Sequence, residues 1–231
     1  MRPKTSPWPN GDSNGVLRCK NKSFRSNSYI CCSSQAPECV LIDPGMDGEG
    51  IEAVLHSYQL EPKAIFCTHG HFDHLGSADF FQTKYHIPLY LHSGDVRIAR
   101  SSNLFLGRTE IRITVPTIDF PIEDGFRIAV GEDPLSFTGA PGHTPGSCLL
   151  RIRNAVFSGD TIYRNAIGHS ESPAENKQQL RDSILRVWNE IPDDCWIYPG
   201  HGETGLFGEI KRDNMALREF LSLPAPSLAR P

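Results

Sequence analysis

The segment Thr68-His69-Gly70-His71-Phe72-Asp73-His74 sets three imidazoles and one carboxylate within six residues, where one kind of secondary structure gives way to another. Before it, Lys63–Thr68 is a short run ending in Ile65-Phe66-Cys67 and reads as a buried strand. After it, Asp73–Tyr85 carries apolar Leu75, Ala78, Phe80 and Phe81 at helical spacing. Residue frequencies alone would place these four side chains at these offsets in roughly one such chain in a thousand, so the cluster is read as chemistry. Alternate residues leaving an extended strand project to one side, which lets His69 and His71 converge on one ion. Asp73 and His74, at the helix start, point differently and can serve a second. Neutral imidazole and carboxylate are ligands that Zn²⁺, Fe²⁺ and Mn²⁺ accept.

Four ligands do not complete two sites, so a fold that uses this segment must bring more to the same edge. Three candidates stand downstream: His143 in Gly142-His143-Thr144-Pro145-Gly146, Asp160 in Ser158-Gly159-Asp160-Thr161, and His201 in Pro199-Gly200-His201-Gly202. Each follows a strand-like run and is flanked by glycine, which lets backbones approach closely. A lone histidine in such a loop is usually a surface residue. The conjunction of all three with the first segment carries the signal.

The rest of the chain supplies the frame. Residues 1–15 read as a flexible arm, 16–222 as one domain and 223–231 as a tail. Strands are expected at Ser28–Ser33 and at Cys39–Ile42, which runs into the turn signal Asp43-Pro44-Gly45. A helix over Gly48–Leu60, a strand at Pro88–Leu91 and a short helix from Ser93 complete an α/β first half. The middle reads as short strands at Ile111–Val115, Phe126–Val130, Leu135–Thr138, Ser147–Ile152 and Ala155–Ser158. A helix from about Ala174 to Glu190, a strand at Cys195–Tyr198 and a helix from about Gly205 to Leu221 follow. Two sheets packed between helices are the expected architecture.

Composition narrows the function. Twenty-three Lys and Arg against 27 Asp and Glu give a net charge of −4, which disfavours a protein that grips nucleic acid. No stretch approaches the ~20 apolar residues of a membrane span, and the polar start MRPKTSPWPNGDSNG has no signal-peptide core. The seven cysteines include no C-x-x-C pair, and several sit inside apolar runs. They read as buried, reduced thiols, and a cytoplasmic location is expected. Of the nine histidines, His56, His86 and His92 read as structural or surface residues.

The order His69-x-His71-x-Asp73-His74, His143, Asp160, His201 resembles the metallo-β-lactamase superfamily. Within it, Thr-His-Gly-His-Phe-Asp-His, the Asp43-Pro44-Gly45 turn and Tyr-Pro-Gly-His-Gly resemble the glyoxalase II (hydroxyacylglutathione hydrolase) branch. The resemblance spans roughly residues 25–215 and implies an α/β fold, a four-layer αβ/βα sandwich with metals at the sheet edges. It implies one ion on His69, His71 and His143, a second on Asp73, His74 and His201, and Asp160 bridging them. The carboxylate at Asp160 disfavours penicillin hydrolysis, because the antibiotic-hydrolysing branch typically has cysteine or serine there.

Two divalent ions ~3.5–4 Å apart can hold a hydroxide between them, so the expected activity is metal-dependent hydrolysis of a thioester or small ester. Asp73 is also a candidate to take the nucleophile's proton. A mononuclear-iron persulfide dioxygenase and a lactonase of the same superfamily are the alternatives. Two ions, most readily Zn with Fe or Mn as options, are the expected cofactors, and a small-molecule thioester or ester the partner. Arg164 and His169 are candidate substrate-binding residues, because the segment after Asp160 should border the site. With 30 residues after His201, no separate substrate-binding domain is expected.

Overall fold

Alternation with period two, buried on both faces, organises the chain. The computed structural model describes residues 14–32, 37–168 and 174–223. Most of the expected arm, nearly all of the tail, and His169 lie outside them. The first half runs β1 (Val16–Lys20), β2 (Asn27–Cys32), β3 (Glu38–Ile42), α1 (Gly48–Ser57), β4 (Glu61–Phe66), α2 (Phe72–Leu75), α3 (Ala78–Tyr85), β5 (Leu89–His92), α4 (Val96–Arg100), α5 (Ser102–Phe105) and β6 (Phe120–Ile122). Its six strands form one sheet in sequence order, antiparallel from β1 to β3 and parallel from β3 to β6. The parallel pairs need crossovers, which α1, α3 and the α4–α5 segment supply in turn.

The second half runs β7 (Arg127–Val130), β8 (Asp133–Gly139), β9 (Cys148–Ile152), β10 (Ala155–Gly159), α6 (Lys177–Val187), β11 (Trp196–Pro199), β12 (Gly205–Leu206), α7 (Phe207–Asp213) and α8 (Met215–Phe220). Its sheet has the order β12-β11-β10-β9-β8-β7, with α6 crossing between the parallel strands β10 and β11. Tyr29, Cys31, Val40 and Ile42 of the first sheet meet Phe137, Leu150, Ile152 and Phe157 of the second in a core between the sheets. Their sequence neighbours Ile30, Cys32, Cys39 and Leu41 face the first helical layer instead. Leu149 and Val156 face Leu180, Ile184 and Val187 of α6. This is the four-layer αβ/βα sandwich expected from the sequence. Fully buried aromatics such as Phe137 and Phe157 each contribute about 1.5–3 kcal/mol to it.

Four sequence expectations are corrected. Residues 111–115 form no strand: their partial burial alternates, but the Asn103 side chain bonds Ile113 N and O, and Arg112 donates to the carbonyls of Thr109 and Ile111. The strand of that region is β6. The helix expected over 73–85 is two helices, broken where Ser77 N turns to donate to Pro44 O. The helix expected over 205–221 begins instead as β12, paired with Trp196 and Ile197. It breaks again at Asn214, whose side chain caps α8 by accepting from Leu217 N and donates to Tyr163 O and Ala166 O. The segment 16–20, with no strand expected, is β1. No helix among the described residues is long and apolar enough to cross a membrane.

Candidate metal centre

The carboxyl ends of β4 and β10, and the loops after β8 and β11, meet at one edge of the sandwich. His69 and His71 leave the end of β4 with His69 Nε2 and His71 Nδ1 3.2 Å apart. His143, from the loop between β8 and β9, sets its Nε2 3.0 Å from His71 Nδ1. These three ring nitrogens form one converging triad. Asp73 and His74 in the first turn of α2 meet His201 after β11 in another. His201 Nε2 lies 3.3 Å and His74 Nε2 3.7 Å from Asp73 Oδ2.

Asp160, at the end of β10, stands between the two triads. Its Oδ2 lies 3.5 Å from His143 Nε2 and 3.6 Å from His201 Nε2, and its Oδ1 3.4 Å from His74 Nε2. Two glycines make room. A Cβ on Gly200 would collide with Asp160 Oδ1, and one on Gly159, which has φ +48°, would collide with Thr68 Oγ1. All seven sequence candidates for metal ligation therefore lie in one cluster. His74 Nε2 and Asp160 Oδ1 are buried without a hydrogen-bond partner. Orphaned buried polar atoms are costly, and an ion between the triads is what this ligand set fits.

Two carboxylates outside this set orient it, and sequence reasoning missed both roles. The sequence marks Asp43 only as the start of a turn. It ends β3 with φ +49° and is buried. Its Oδ2 accepts from Thr68 Oγ1 at 2.7 Å and from His74 Nδ1 at 3.0 Å. With its own proton given to Asp43, Thr68 Oγ1 accepts from His69 Nδ1 at 3.1 Å. One carboxylate thus orients a histidine in each triad through its Nδ1, directing both Nε2 atoms inward. Asp43 also falls within reach of a grouping with His69 and His74, but its oxygens are spent on these donors. Asp95, fully buried, accepts from Gly70 N, Gly146 N and Thr144 Oγ1, each at 2.7 Å, and so ties the His71 loop to the His143 loop. An acidic residue closing a buried strand was a readable signal for Asp43. Asp95 had none.

The triads differ in charge. Burial, reinforced by neighbouring imidazoles, holds His69 well below the usual histidine range and brings His71 down to about 4. For His74, burial works the same way but is outweighed by Asp160, Asp73 and Asp43, which bring it up to about 10. His201 is raised too, burial being overcome by its bond to Asp73 and by Asp160. Burial opposes ionisation of Asp73 and Asp160, yet the surrounding imidazoles keep both lowered.

Arg164 lies beside His201, where it shares with Tyr163, Ala166 and Gly202 the lining of a hollow of about 260 Å³. Its guanidinium donates to Thr204 O at 2.8 Å and sits 3.6 Å from Glu209. Burial and the Asp160 carboxylate push the Tyr163 phenol well above its usual range. The other histidines serve elsewhere: His56 lies on α1 near Glu52, His86 ends α3 in the left-handed region, and His92 accepts from Gly94 N. All seven cysteines are free thiols, and none joins a candidate metal cluster among the described residues.

Comparison with known proteins gives the same direction. The family model described as Metallo-beta-lactamase superfamily matches residues 24–201. "Probable metallo-hydrolase YqgX" of Bacillus subtilis (strain 168) is 32% identical over 191 residues, covering 80% of this chain and 90% of that protein. A crystal structure described as TTHA1623 in a di-iron-bound form superposes with a TM-score of 0.77 and 29% identity, over 86% of this chain and 98% of that one. Another, of the BLEG-1 B3 metallo-beta-lactamase, gives a TM-score of 0.77 and 26% identity, over 87% of this chain and 99% of that one.

Proposed function

The chain belongs to the metallo-beta-lactamase superfamily, and from that premise we propose that it hydrolyses a thioester or small ester with two divalent ions, in the manner of glyoxalase II. The observation that carries the reading is Asp160, whose two oxygens face histidines of different triads and whose Oδ1 is buried without a partner. His69, His71 and His143 would hold one ion, Asp73, His74 and His201 the other, with Asp160 shared. Such ions supply acidification of water near neutral pH and positive charge facing a carbonyl oxygen. Zinc suits the imidazole and carboxylate set, and iron suits it as well.

The chain's own groups do the rest. Asp73, held ionised by its histidines, presents Oδ2 on the partly open side of the cluster and accepts a proton from attacking water. The buried wall of His69, His74 and His143 excludes bulk solvent behind the reacting carbon. An ordinary thiol has a pKa of ~8.5, so a thioester leaves without strong acid help. Among the described residues, the cluster's two carboxylic side chains are held ionised by their histidines and neither protonates an amine, which favours thioesters and esters over amides.

Metal analysis of the purified protein, joined to turnover of thioesters, lactones and a β-lactam, tests this. Two ions per chain with thioester or ester hydrolysis are expected. One iron per chain with oxygen consumption on glutathione persulfide would overturn the reading in favour of a dioxygenase. Turnover confined to lactones, or to the β-lactam, would move the activity to another hydrolase class.

A further inference from the structure

Large apolar side chains exposed on a protein surface are informative when they gather. Among the described residues five are conspicuously exposed: Phe24 (41%), Leu104 (82%), Phe105 (46%), Phe120 and Met215. Two of these lie against residues of the metal centre, and Leu104 precedes one of them in α5. Phe105 ends α5 with its ring 6.4 Å from the ring of His71. Phe24 stands in the turn between β1 and β2, packed edge-on against Phe72, the residue between His71 and Asp73, at 4.8 Å. His71 in the first triad, and Asp73 and His201 in the second, are the partly exposed members.

The Phe24 turn is held in place at a cost. Phe24 and Arg25 both occupy the left-handed region, at φ 60° and 54°, where residues with side chains are uncommon. Such strain persists only where the surroundings enforce it. Here Ser26 Oγ donates to Asp73 O at 2.7 Å, Ser26 pairs with His201 as an isolated bridge, and Asn27 N donates to Gly200 O. The turn is therefore fastened to both segments that carry the second triad. It keeps an aromatic ring outside the core, at the mouth of the site. On the other side, the Asn103 side chain anchors α5 through two bonds to the Ile113 backbone.

We infer that Phe24, Phe105 and Leu104 form an apolar lip that takes the hydrocarbon part of the substrate, so that the enzyme prefers neutral thioesters or esters with an extended or aromatic acyl chain. The inference rests on the hydrolase reading and adds the substrate class to it. The lip adjoins His71 and Phe72, and an acyl chain leaving a carbonyl at the metal centre on that side meets it first. On the opposite side, Arg164 is committed to Thr204 and Glu209, and Glu209 and Asp213 line a second hollow beside it, which does not suit a polyanionic substrate.

The probes are N-acetylcysteamine thioesters from acetyl to octanoyl, together with the matching S-alkyl thioethers, which cannot be hydrolysed. Expected is a rise in kcat/KM of about twofold to fourfold per added methylene, with thioether affinity rising in parallel. The double variant Phe24→Ser/Phe105→Ser should flatten both series to less than about 1.5-fold per methylene while retaining its metal. Phe105→Leu should keep the slope, as should Phe120→Ser on the distant β6. Hydrolysis of thioesters with flat series in both measurements overturns the lip and leaves the hydrolase reading standing. Rising thioether affinity without any ester or thioester turnover sustains the lip and removes the hydrolase reading. Flat series combined with a dimer that the double variant dissociates overturn the lip as well, and assign the patch to a second copy of this chain.

Discussion

The two triads lie side by side, yet they hold protons in opposite ways. His69, His71 and His143 are three imidazoles crowded together, and burial keeps His69 and His71 neutral. Asp73, His74 and His201 mix a carboxylate with imidazoles, and their neighbours raise both histidines. The first triad is thus prepared for a cation, and the second already holds positive charge that a cation must displace. Asp160 belongs to both and Asp43 supports both, so substitutions at these carboxylates probe how far the triads are independent.

Asp160→Ala should have the largest effect. It leaves His74 Nε2 facing only Asp73 and removes the group between the triads. Metal content should fall from two ions to one, retained on the first triad, and kcat by on the order of a hundredfold to a thousandfold. Unchanged metal content and rate would contradict the shared position. Asp43→Asn comes next. Losing an outer carboxylate typically costs about 10–100-fold in metal affinity or activity, and here both ions should weaken because Asp43 reaches His74 directly and His69 through Thr68. Thr68→Val should weaken the first ion alone. If it weakened both equally, the relay through the hydroxyl would be wrong.

How far these sites were legible in the sequence follows from how local their physics is. The ligand residues stood out because strand ends and Gly-flanked loops leave a local pattern. The sandwich was legible because both faces of its strands are apolar. Asp95 was not, since its three donors come from Gly70, Thr144 and Gly146, contacts that exist only once the sheets have met. Ile111–Val115 was misread for a related reason. Its alternation mimics a strand, but the bonds that decide the matter come from Asn103 and Arg112 side chains. The Gly205 region failed because a two-residue strand is too short to show a period.

The pH dependence separates the triads more gently. With His71 at about 4 in the metal-free chain, no proton competes there above about pH 5, and affinity contributed by that ligand should be flat through neutrality. His74 at about 10 carries a proton at pH 7, so binding to the second triad releases it. Second-ion affinity should therefore rise about tenfold per pH unit for that proton until about pH 10. Calorimetry of metal binding in two buffers of different ionisation enthalpy measures this release directly. Acidification from pH 8 to 6 should remove the second ion before the first, and the reverse order would invert the comparison.

Arg164→Ala should have the smallest effect, and it tests whether charge on the open side extends beyond the triads to the substrate. The guanidinium donates to Thr204 O and faces Glu209, at side-chain exposures of 41% for both partners. Half-exposed pairs of this kind contribute about 1 kcal/mol or less, so folding stability should hardly change. If the substrate is neutral near this residue, kcat/KM for acyl thioesters should change by less than about threefold, because no developing charge faces the missing cation. A substrate carrying a carboxylate would lose much more, since Glu209 would then stand without its cation beside the anionic end. Comparing a neutral thioester with one bearing a terminal carboxylate, in wild type and variant, reads that difference. A loss of tenfold or more for the neutral thioester would make Arg164 a binding residue for the reacting part of the substrate, and would place the selective contact on the His201 side of the centre rather than at Phe24 and Phe105.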